Sequence, residues 1–296
     1  MNNKKVLSII AYAIILVLAF TGCADKQTEN NEQSQFNKEK EITVIARDAA
    51  SGTRGAFHEI MGIIQKQDNT EVDRLVVGAL EFDGTDKVIT AVEGDKYGIG
   101  YISLGSVSDR TKAVAVDGIK PTAENVKSGE YTVARPFLLV TKADENNLVK
   151  DFLSFAESAE GQEIITGMKY ISTAEDSKQY TPSGLKGNIK VAGSTSVSPL
   201  MEKLQEAYKK LNPDVQFEMQ SNGSSQGIKA AMDGSYDVGM SSRELKEEEA
   251  KVLNRHVLAI DGIAVIINNE NPTDSISSEA ITKIYTGEIT QWSEVQ

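Results

Sequence analysis

Few residues of the kinds that form disulfides, metal sites and proton relays occur in this chain. Its 296 residues include one cysteine, Cys23, and two histidines, His58 and His256. An intrachain disulfide is therefore excluded. No histidines, carboxylates or thiols have the spacing of a metal site, and the G-x-x-x-x-G-K-[ST] loop of nucleotide-binding proteins is missing. The sequence thus favours binding over catalysis, without a metal or a cofactor.

A long hydrophobic run is found at the N-terminus alone. Lys4 and Lys5 precede the apolar run Val6–Phe20, and two short residues then lead to Cys23. This pattern predicts an export signal peptide over residues 1–22, because the run falls short of the roughly 20 apolar residues of a membrane span. Cys23 is the predicted lipid attachment site on the extracytoplasmic face of the cell membrane, although Phe20 stands where a leucine is usual. The alternative is an ordinary secreted protein whose thiol happens to follow the signal.

Apolar residues are scarce in the next segment, residues 23–40, where Phe36 is the single aromatic residue. Such a polar segment buries too little apolar area to fold, so it is predicted to be a disordered tether. The formal net charge is -12, and removal of the signal with its two lysines makes it -14. This acidic balance argues against nucleic acid as a partner.

The rest of the chain alternates short β-rich runs with helical patterns, which predicts an α/β fold with largely parallel sheets. The clearest helix follows Ser196, where apolar residues recur at helical spacing until Asn212-Pro213. The predicted segments are strands at Ile42–Arg47, Tyr97–Ser103, Phe137–Thr141, Ile189–Ala192 and Val215–Met219, a helix from Gly55, and helices between Asn147 and Met168.

Three strands run into turns rich in glycine and hydroxyl groups that open a helix. The turns are Ser51-Gly52-Thr53-Arg54, Gly193-Ser194-Thr195-Ser196 and Asn222-Gly223-Ser224-Ser225. A helix start offers free backbone N–H groups and a partial positive charge, which together suit a tetrahedral oxyanion. One such turn alone is more often a helix cap, but Arg47 and Arg54 beside the first turn add donors that suit phosphate.

An enzymatic alternative rests on residues 223–227, which match the G-x-S-x-G pattern of serine hydrolases between a strand and a helix. Ser225 would be the nucleophile, with Asp237 and His256 as the acid and the base. His58 lies on a predicted helix and is expected at the surface.

Several long segments resemble the PstS-type phosphate-binding proteins of ABC phosphate transporters. The resemblance covers nearly all of residues 42–296 and rests on the segments R-D-A-A-S-G-T-R-G-A-F from Arg47, G-S-T-S-V-S-P-L from Gly193, D-G-S-Y-D-V-G-M-S-S-R from Asp233 and I-Y-T-G-E-I-T-Q-W from Ile284. It implies the two-lobe periplasmic-binding-protein-like fold of type II, with a hinge and a ligand between the lobes. It also implies inorganic phosphate and an ABC permease as partners.

The order of these segments differs from the usual one, because the segment at Arg47 normally comes last. The sequence is therefore predicted to be a circular permutant, with Tyr180–Gly187 joining the usual ends. One lobe would then be split between residues 41–133 and 272–296, and the other would be continuous over residues 134–271. Two further alternatives are a phosphate sensor that does not transport and a dimer that exchanges half-lobes.

Carried over by position, the resemblance implies phosphate contacts at Arg47, Ser51, Gly52, Thr53, Thr195, Ser196, Ser224 and Ser242. Arg54 is a further candidate from proximity. Some family members have an aspartate at the position of Ser242, and its carboxylate accepts a hydrogen bond from the protonated oxygen of hydrogen phosphate. A serine hydroxyl can also accept this hydrogen bond, so selectivity for phosphate over sulfate remains a prediction.

Overall fold

A computed structural model describes residues 36–67, 70–174 and 177–295 of the chain. The predicted signal peptide, Cys23 and most of the predicted tether lie outside the described residues. The strands of the described part are β1 (Thr43–Arg47), β2 (Ile64–Gln67), β3 (Thr70–Asp73), β4 (Leu80–Phe82), β5 (Gly98–Ser103), β6 (Lys112–Ala113), β7 (Ala115–Val116), β8 (Ala134–Lys142), β9 (Gly187–Gly193), β10 (Val215–Ser221), β11 (Val238–Ser241), β12 (Leu253–Ile267) and β13 (Ser275–Ile276).

The helices complete the α/β pattern that the sequence predicts. They are α1 (Gly52–Ile60), α2 (Thr85–Gly94), α3 (Ala123–Ser128), α4 (Asn147–Glu157), α5 (Ala159–Gly167), α6 (Ser198–Leu211), α7 (Ser224–Asp233), α8 (Glu247–Ala250) and α9 (Ser278–Thr286). The first helix begins three residues before the expected Gly55, because the side chain of Ser51 accepts a hydrogen bond from the backbone N–H of Arg54 and so caps it.

A mixed sheet runs through the molecule in the order β10-β9-β11-β8-β12-β5-β1-β4, with β6 also paired to β12. The outer pairs on both sides are parallel, as expected. The middle of the sheet is antiparallel, because β12 pairs with β8 over its first part and with β5 over its last part. This long strand is a feature that the sequence analysis missed.

Two main clusters of buried side chains pack on this sheet. The first draws its members from residues 44–133 and 263–292, and the second from residues 137–259. Strand β12 passes from the second cluster to the first, so it connects the two cores. The division into a split and a continuous lobe stays a prediction.

The two ends of the described chain lie side by side. The backbone N–H of Ile42 donates to the carbonyl of Thr290 at 2.8 Å, and the N–H of Ser293 donates to the carbonyl of Lys38 at 2.7 Å. The ring of Phe36 lies 5.9 Å from that of Trp292. Residues 36–40, which the sequence assigns to the tether, are therefore held against the folded body by an aromatic contact and backbone hydrogen bonds.

Candidate functional site

The three predicted turns lie at the carboxyl ends of strands, where each strand leads into a helix. Ser51 caps α1 after β1, the turn at residues 194–197 leads from β9 into α6, and Gly223 precedes α7 after β10. Strands β9 and β10 are neighbours in the sheet, whereas β1 belongs to its other side. The turns from the two sides nevertheless meet, because the N–H of Ser225 donates to the carbonyl of Ala50 at 3.1 Å.

Arg47 is the charged group of this meeting point. It is 2% exposed, and its Nη2 donates to the hydroxyl of Thr195 at 2.8 Å and to the carbonyl of Asp83 at 3.2 Å. Its Nη1 donates to the hydroxyl of Thr85 at 3.3 Å. Within residues 36–67, 70–174 and 177–295, no carboxylate forms an ion pair with this guanidinium.

A buried cation without a counter-ion is costly, and burial accordingly lowers the pKa of Arg47 below its usual value. Structural arginines in protein interiors normally have a carboxylate partner. The arrangement at Arg47 therefore suits an anion that arrives from outside the chain.

Hydroxyl groups from both cores surround the guanidinium. The hydroxyls of Thr53 and Ser196 lie 2.8 Å apart, and both oxygens are buried. The hydroxyl of Thr85 lies 3.4 Å from those of Thr195 and Ser196. Because a hydroxyl rotates to donate or accept, this group can present several donors to one anion.

Thr85 is a residue that the sequence analysis missed. It opens α2 after the short strand β4 and the turn Asp83-Gly84, so it repeats the strand, glycine, hydroxyl and helix pattern of the predicted turns. That repetition was the available signal. It was weak because Leu80–Phe82 is short for a strand that sequence patterns can detect.

A second hydroxyl cluster lies beside α7. The hydroxyl of Ser194 donates to that of Ser242 at 2.9 Å, and the backbone N–H of Ser242 donates to the hydroxyl of Ser224 at 3.0 Å. All three serines are buried. Ser224 and Ser242, both predicted from the resemblance, are thus brought together.

Gly52 of α1 lies against this cluster. A Cβ atom at Gly52 would lie 2.3 Å from the hydroxyl oxygen of Ser224 and 2.9 Å from that of Ser242. Both distances are shorter than van der Waals contact, so only glycine fits there. The absence of a side chain lets the start of α1 approach the opposite hydroxyls.

Arg54 has a different environment from the other predicted contacts. Its Nε donates to the carboxylate of Asp73 at 2.9 Å, and its Nη1 donates to the carbonyl of Arg47 at 3.0 Å and to the carboxylate of Glu81. Burial alone would lower the pKa of Arg54, but Asp73 and Glu81 raise it above its usual value. The donors of Arg54 are therefore used within the protein, and it supports the main chain of Arg47.

His58 is fully buried, so the expectation that it lies at the surface is wrong. Its Nδ1 lies 3.0 Å from the carboxylate of Asp73 and its Nε2 lies 3.2 Å from the hydroxyl of Tyr101, which accepts the backbone N–H of Arg47. Burial lowers the pKa of His58 despite the neighbouring carboxylate. The position of His58 on a predicted helix did not reveal its burial, because the sequence does not show that this face of the helix packs against the sheet.

The meeting point borders a cavity of about 550 Å³ between the two cores. Its lining includes Ser51 and Arg54 on one side and Ser225 and Arg243 on the other. Across its rim, Lys246 lies 3.7 Å from Glu71. Arg47 and the buried hydroxyls do not line this cavity, which therefore reaches the edge of the meeting point at Ser51 and Ser225.

The serine hydrolase alternative lacks its hydrogen bonds. Ser225 lines the cavity, whereas the Nε2 of His256 lies 2.8 Å from Glu145 and the carboxylate of Asp237 accepts the backbone N–H of Lys190. Among the described residues, no hydrogen bond joins Ser225, Asp237 and His256. That same part of the chain contains no group of three or more His, Cys, Asp and Glu side chains that could hold a metal ion.

Comparisons with known proteins identify the family of this chain. A model of the PBP superfamily domain matches residues 15–160 and 178–296. The phosphate-binding protein PstS 2 of Streptococcus pneumoniae is 40% identical over 296 residues, which is 100% of both chains. The crystal structure of a phosphate-binding protein of a phosphate ABC transporter from the same species has a TM-score of 0.71 at 43% identity, and covers 86% of this chain and 100% of its own.

A shorter match involves the phosphate-binding protein PstS of Bacillus subtilis, which is 31% identical over 112 residues, or 37% of each chain. The family model and the full-length relative together show that this chain belongs to the PBP superfamily, among the PstS-type phosphate-binding proteins. The predicted family and its α/β fold are thereby confirmed. Because the relatives are binding proteins, the prediction that the chain is not an enzyme is confirmed as well.

Proposed function

We propose that this protein is an extracytoplasmic receptor that captures inorganic phosphate between its two cores and delivers it to an ABC permease. The observation that carries the proposal is Arg47, a buried guanidinium without a counter-ion that is surrounded by hydroxyls from both cores. The full-length pneumococcal relative is named a phosphate-binding protein, and the solved relative belongs to a phosphate ABC transporter.

In the proposed mechanism, phosphate takes the place of the direct contacts between the two cores. Its oxygens would accept hydrogen bonds from Arg47 and from the hydroxyls of Thr53 and Thr195, and from N–H groups at the helix starts. The contact between Thr53 and Ser196 at 2.8 Å shows how near these donors come to one another. Binding would thereby favour the arrangement in which the cores are close, which the permease recognises.

Phosphate is preferred over sulfate in this proposal because the serine cluster can accept a hydrogen bond from a protonated oxygen of the anion. The hydroxyl of Ser242 lies 3.2 Å from that of Ser224 and accepts the hydrogen bond of Ser194. A rotated hydroxyl at this position can accept a hydrogen bond from the P–O–H group of hydrogen phosphate, a group that sulfate lacks. Ser51, Gly52 and Ser224 would complete the contacts, whereas Arg54 would act through the main chain of Arg47.

The permuted order is part of the proposal and rests on the neighbouring chain ends. Ile42 and Thr290 are joined by a hydrogen bond of 2.8 Å, so a direct link between the two ends would need little rearrangement. The match to the Bacillus subtilis protein covers 37% of each chain. A circular permutation would have this effect, because an alignment can follow the shared order of the residues on only one side of the point where that order changes. The split lobe would comprise residues 41–133 and 272–296, and the continuous lobe residues 134–271.

Attachment to the membrane is proposed through a lipid on Cys23. This proposal is supported by the lysines near the start of the chain, by the apolar run Val6–Phe20 and by the small residues that precede Cys23. Within the described ranges 36–67, 70–174 and 177–295, no helix has the length and hydropathy of a membrane span. Fractionation of cells that express the wild type and the Cys23→Ala variant tests the anchor, since only the wild type should remain with the membranes.

Calorimetric titration of residues 24–296 with phosphate and, separately, with sulfate tests the function. The expected result is one phosphate bound per chain and much weaker binding of sulfate. The Arg47→Met variant serves as the matched control and should bind phosphate at least on the order of a hundredfold more weakly than the wild type. Equal affinities for the two anions would refute the selectivity, and absence of phosphate binding by the folded wild type would refute the function.

A further inference from the structure

A second buried arginine lies where the sheet passes from one core to the other. Arg135 at the start of β8 stands directly opposite Asp261 of β12. Its Nη2 donates to the Asp261 carboxylate at 3.0 Å, and the two side chains are 2% and 0% exposed. The other carboxylate oxygen accepts the hydroxyl of Ser103 at 2.9 Å.

This ion pair lies at the same edge of the sheet as Arg47. Ser103 ends β5, which is the parallel neighbour of β1, and Arg47 ends β1. The charge of Arg135 acts on Arg47 and contributes to lowering the pKa of Arg47, after the larger effect of burial. The two guanidinium groups are both buried and act on one another, and Arg135 also lines the cavity described above.

The surroundings of the pair contain few other charges. Asp261 faces Arg135, the hydroxyl of Ser103 and the N–H of Gly105, with Tyr131 and Tyr170 as the neighbouring titratable groups. Arg135 faces Asp261, Tyr101, Tyr170, the more distant Arg47 and the ring of Phe137. Its Nε and Nη1 are buried without a hydrogen-bond partner. The charge of Arg135 is thus balanced by one carboxylate, and two of its three guanidinium nitrogens have no hydrogen-bond partner.

We propose that the Arg135–Asp261 pair sets the strength of anion binding at Arg47, Arg135 strengthening it and Asp261 weakening it. The inference rests on the proposed function and assigns to it two residues that lie outside the predicted phosphate contacts. The physical reason is that charges in a poorly solvated interior act over several ångströms with little screening. Both residues would therefore act on the bound anion through the electrostatic effect of their charges.

The test is the affinity of the full chain for inorganic phosphate at pH 7.5 in single variants. Asp261→Asn leaves the positive charge uncompensated and is expected to tighten binding by roughly tenfold. Arg135→Gln removes the positive charge and also the group that lowers the pKa of Asp261, so the buried carboxyl takes up a proton and binding should weaken by only about twofold. Ser103→Ala removes an uncharged partner of Asp261 as a control and should change the affinity less than about twofold. A merely structural role would weaken binding in both charge variants, and that outcome would overturn the proposal.

The double variant Arg135→Gln/Asp261→Asn keeps the experiment decisive if a single variant fails to fold. It contains no buried charge at this position, and its two amides can hydrogen-bond each other. Burial raises the pKa of Asp261 to about 6 in the wild type. Below that pH, the wild type loses the negative charge but keeps Arg135, so its affinity should rise relative to the double variant.

The ratio of the two dissociation constants cancels the ionisation of phosphate itself. A ratio that is constant from pH 5 to pH 8 would contradict the inference. Failure of the folded wild type to bind phosphate at any pH would instead refute the proposed function. The two failures are therefore distinguishable.

Discussion

Replacement of Gly52 by alanine tests whether the two cores must come close for the protein to bind phosphate. The added Cβ would lie 2.3 Å from the hydroxyl oxygen and 2.8 Å from the Cβ of Ser224. Ser224 belongs to the opposite side of the cleft, so the clash exists only while the cores are together. Overpacking of this kind costs about 1–3 kcal/mol. The expected result is a roughly five- to 150-fold weaker affinity for phosphate.

The assay is calorimetric titration, together with thermal unfolding in the absence of phosphate. The unfolding temperature of the Gly52→Ala variant should stay close to that of the wild type, because separation of the cores relieves the clash. Gly94→Ala is the matched control, since a Cβ at Gly94 meets no atom within 4 Å. If Gly52→Ala binds phosphate as tightly as the wild type, the reasoning about close approach is refuted.

Three further predictions concern Arg47, Ser242 and His58. Replacing Arg47 by methionine should weaken phosphate binding on the order of a hundredfold or more while the protein still folds, which titration and thermal unfolding measure; an unchanged affinity would contradict the assignment. Replacing Ser242 by aspartate should raise the ratio of the sulfate to the phosphate dissociation constant at least about tenfold, because a carboxylate repels an anion that carries no proton; an unchanged ratio would count against it. Since the folded state lowers the pKa of His58, the unfolded state binds the proton first as the pH falls below about 6.5. The wild type should therefore lose stability between pH 7.5 and 5.5, and His58→Gln should lose less, as urea unfolding at both pH values measures.

The helix starts of the site could be predicted because their signals are local. Glycine and hydroxyl residues after a β-rich run indicate a capped helix, and the caps at Ser51 and Gly223 lie where the sequence places them. The resemblance added Ser242, which no local pattern singles out. These residues are close together in the structure, although β1 and β9 are far apart in the sequence.

The missed features depend on tertiary contacts. Arg54 follows a promising turn, but it donates to Asp73 of β3 and Glu81 of β4, and no sequence pattern indicates that these carboxylates lie beside it. His58 is buried because its ring lies within hydrogen-bond distance of Tyr101, which belongs to a strand that is distant in the sequence. The partnership of Arg135 with Asp261 likewise required the register of β8 against β12. Such pairings are set by the fold and not by the nearby residues.

The joined chain ends have a mechanical consequence. A pull on the N-terminal segment reaches the body at residues 36–42, where backbone hydrogen bonds to Thr290, Trp292 and Ser293 resist it together with the contact between Phe36 and Trp292. The load is thus carried by one edge of the molecule, near the first core. In the proposed lipid-anchored receptor, the point of attachment would therefore lie at the first core, and the second core would carry none of the load.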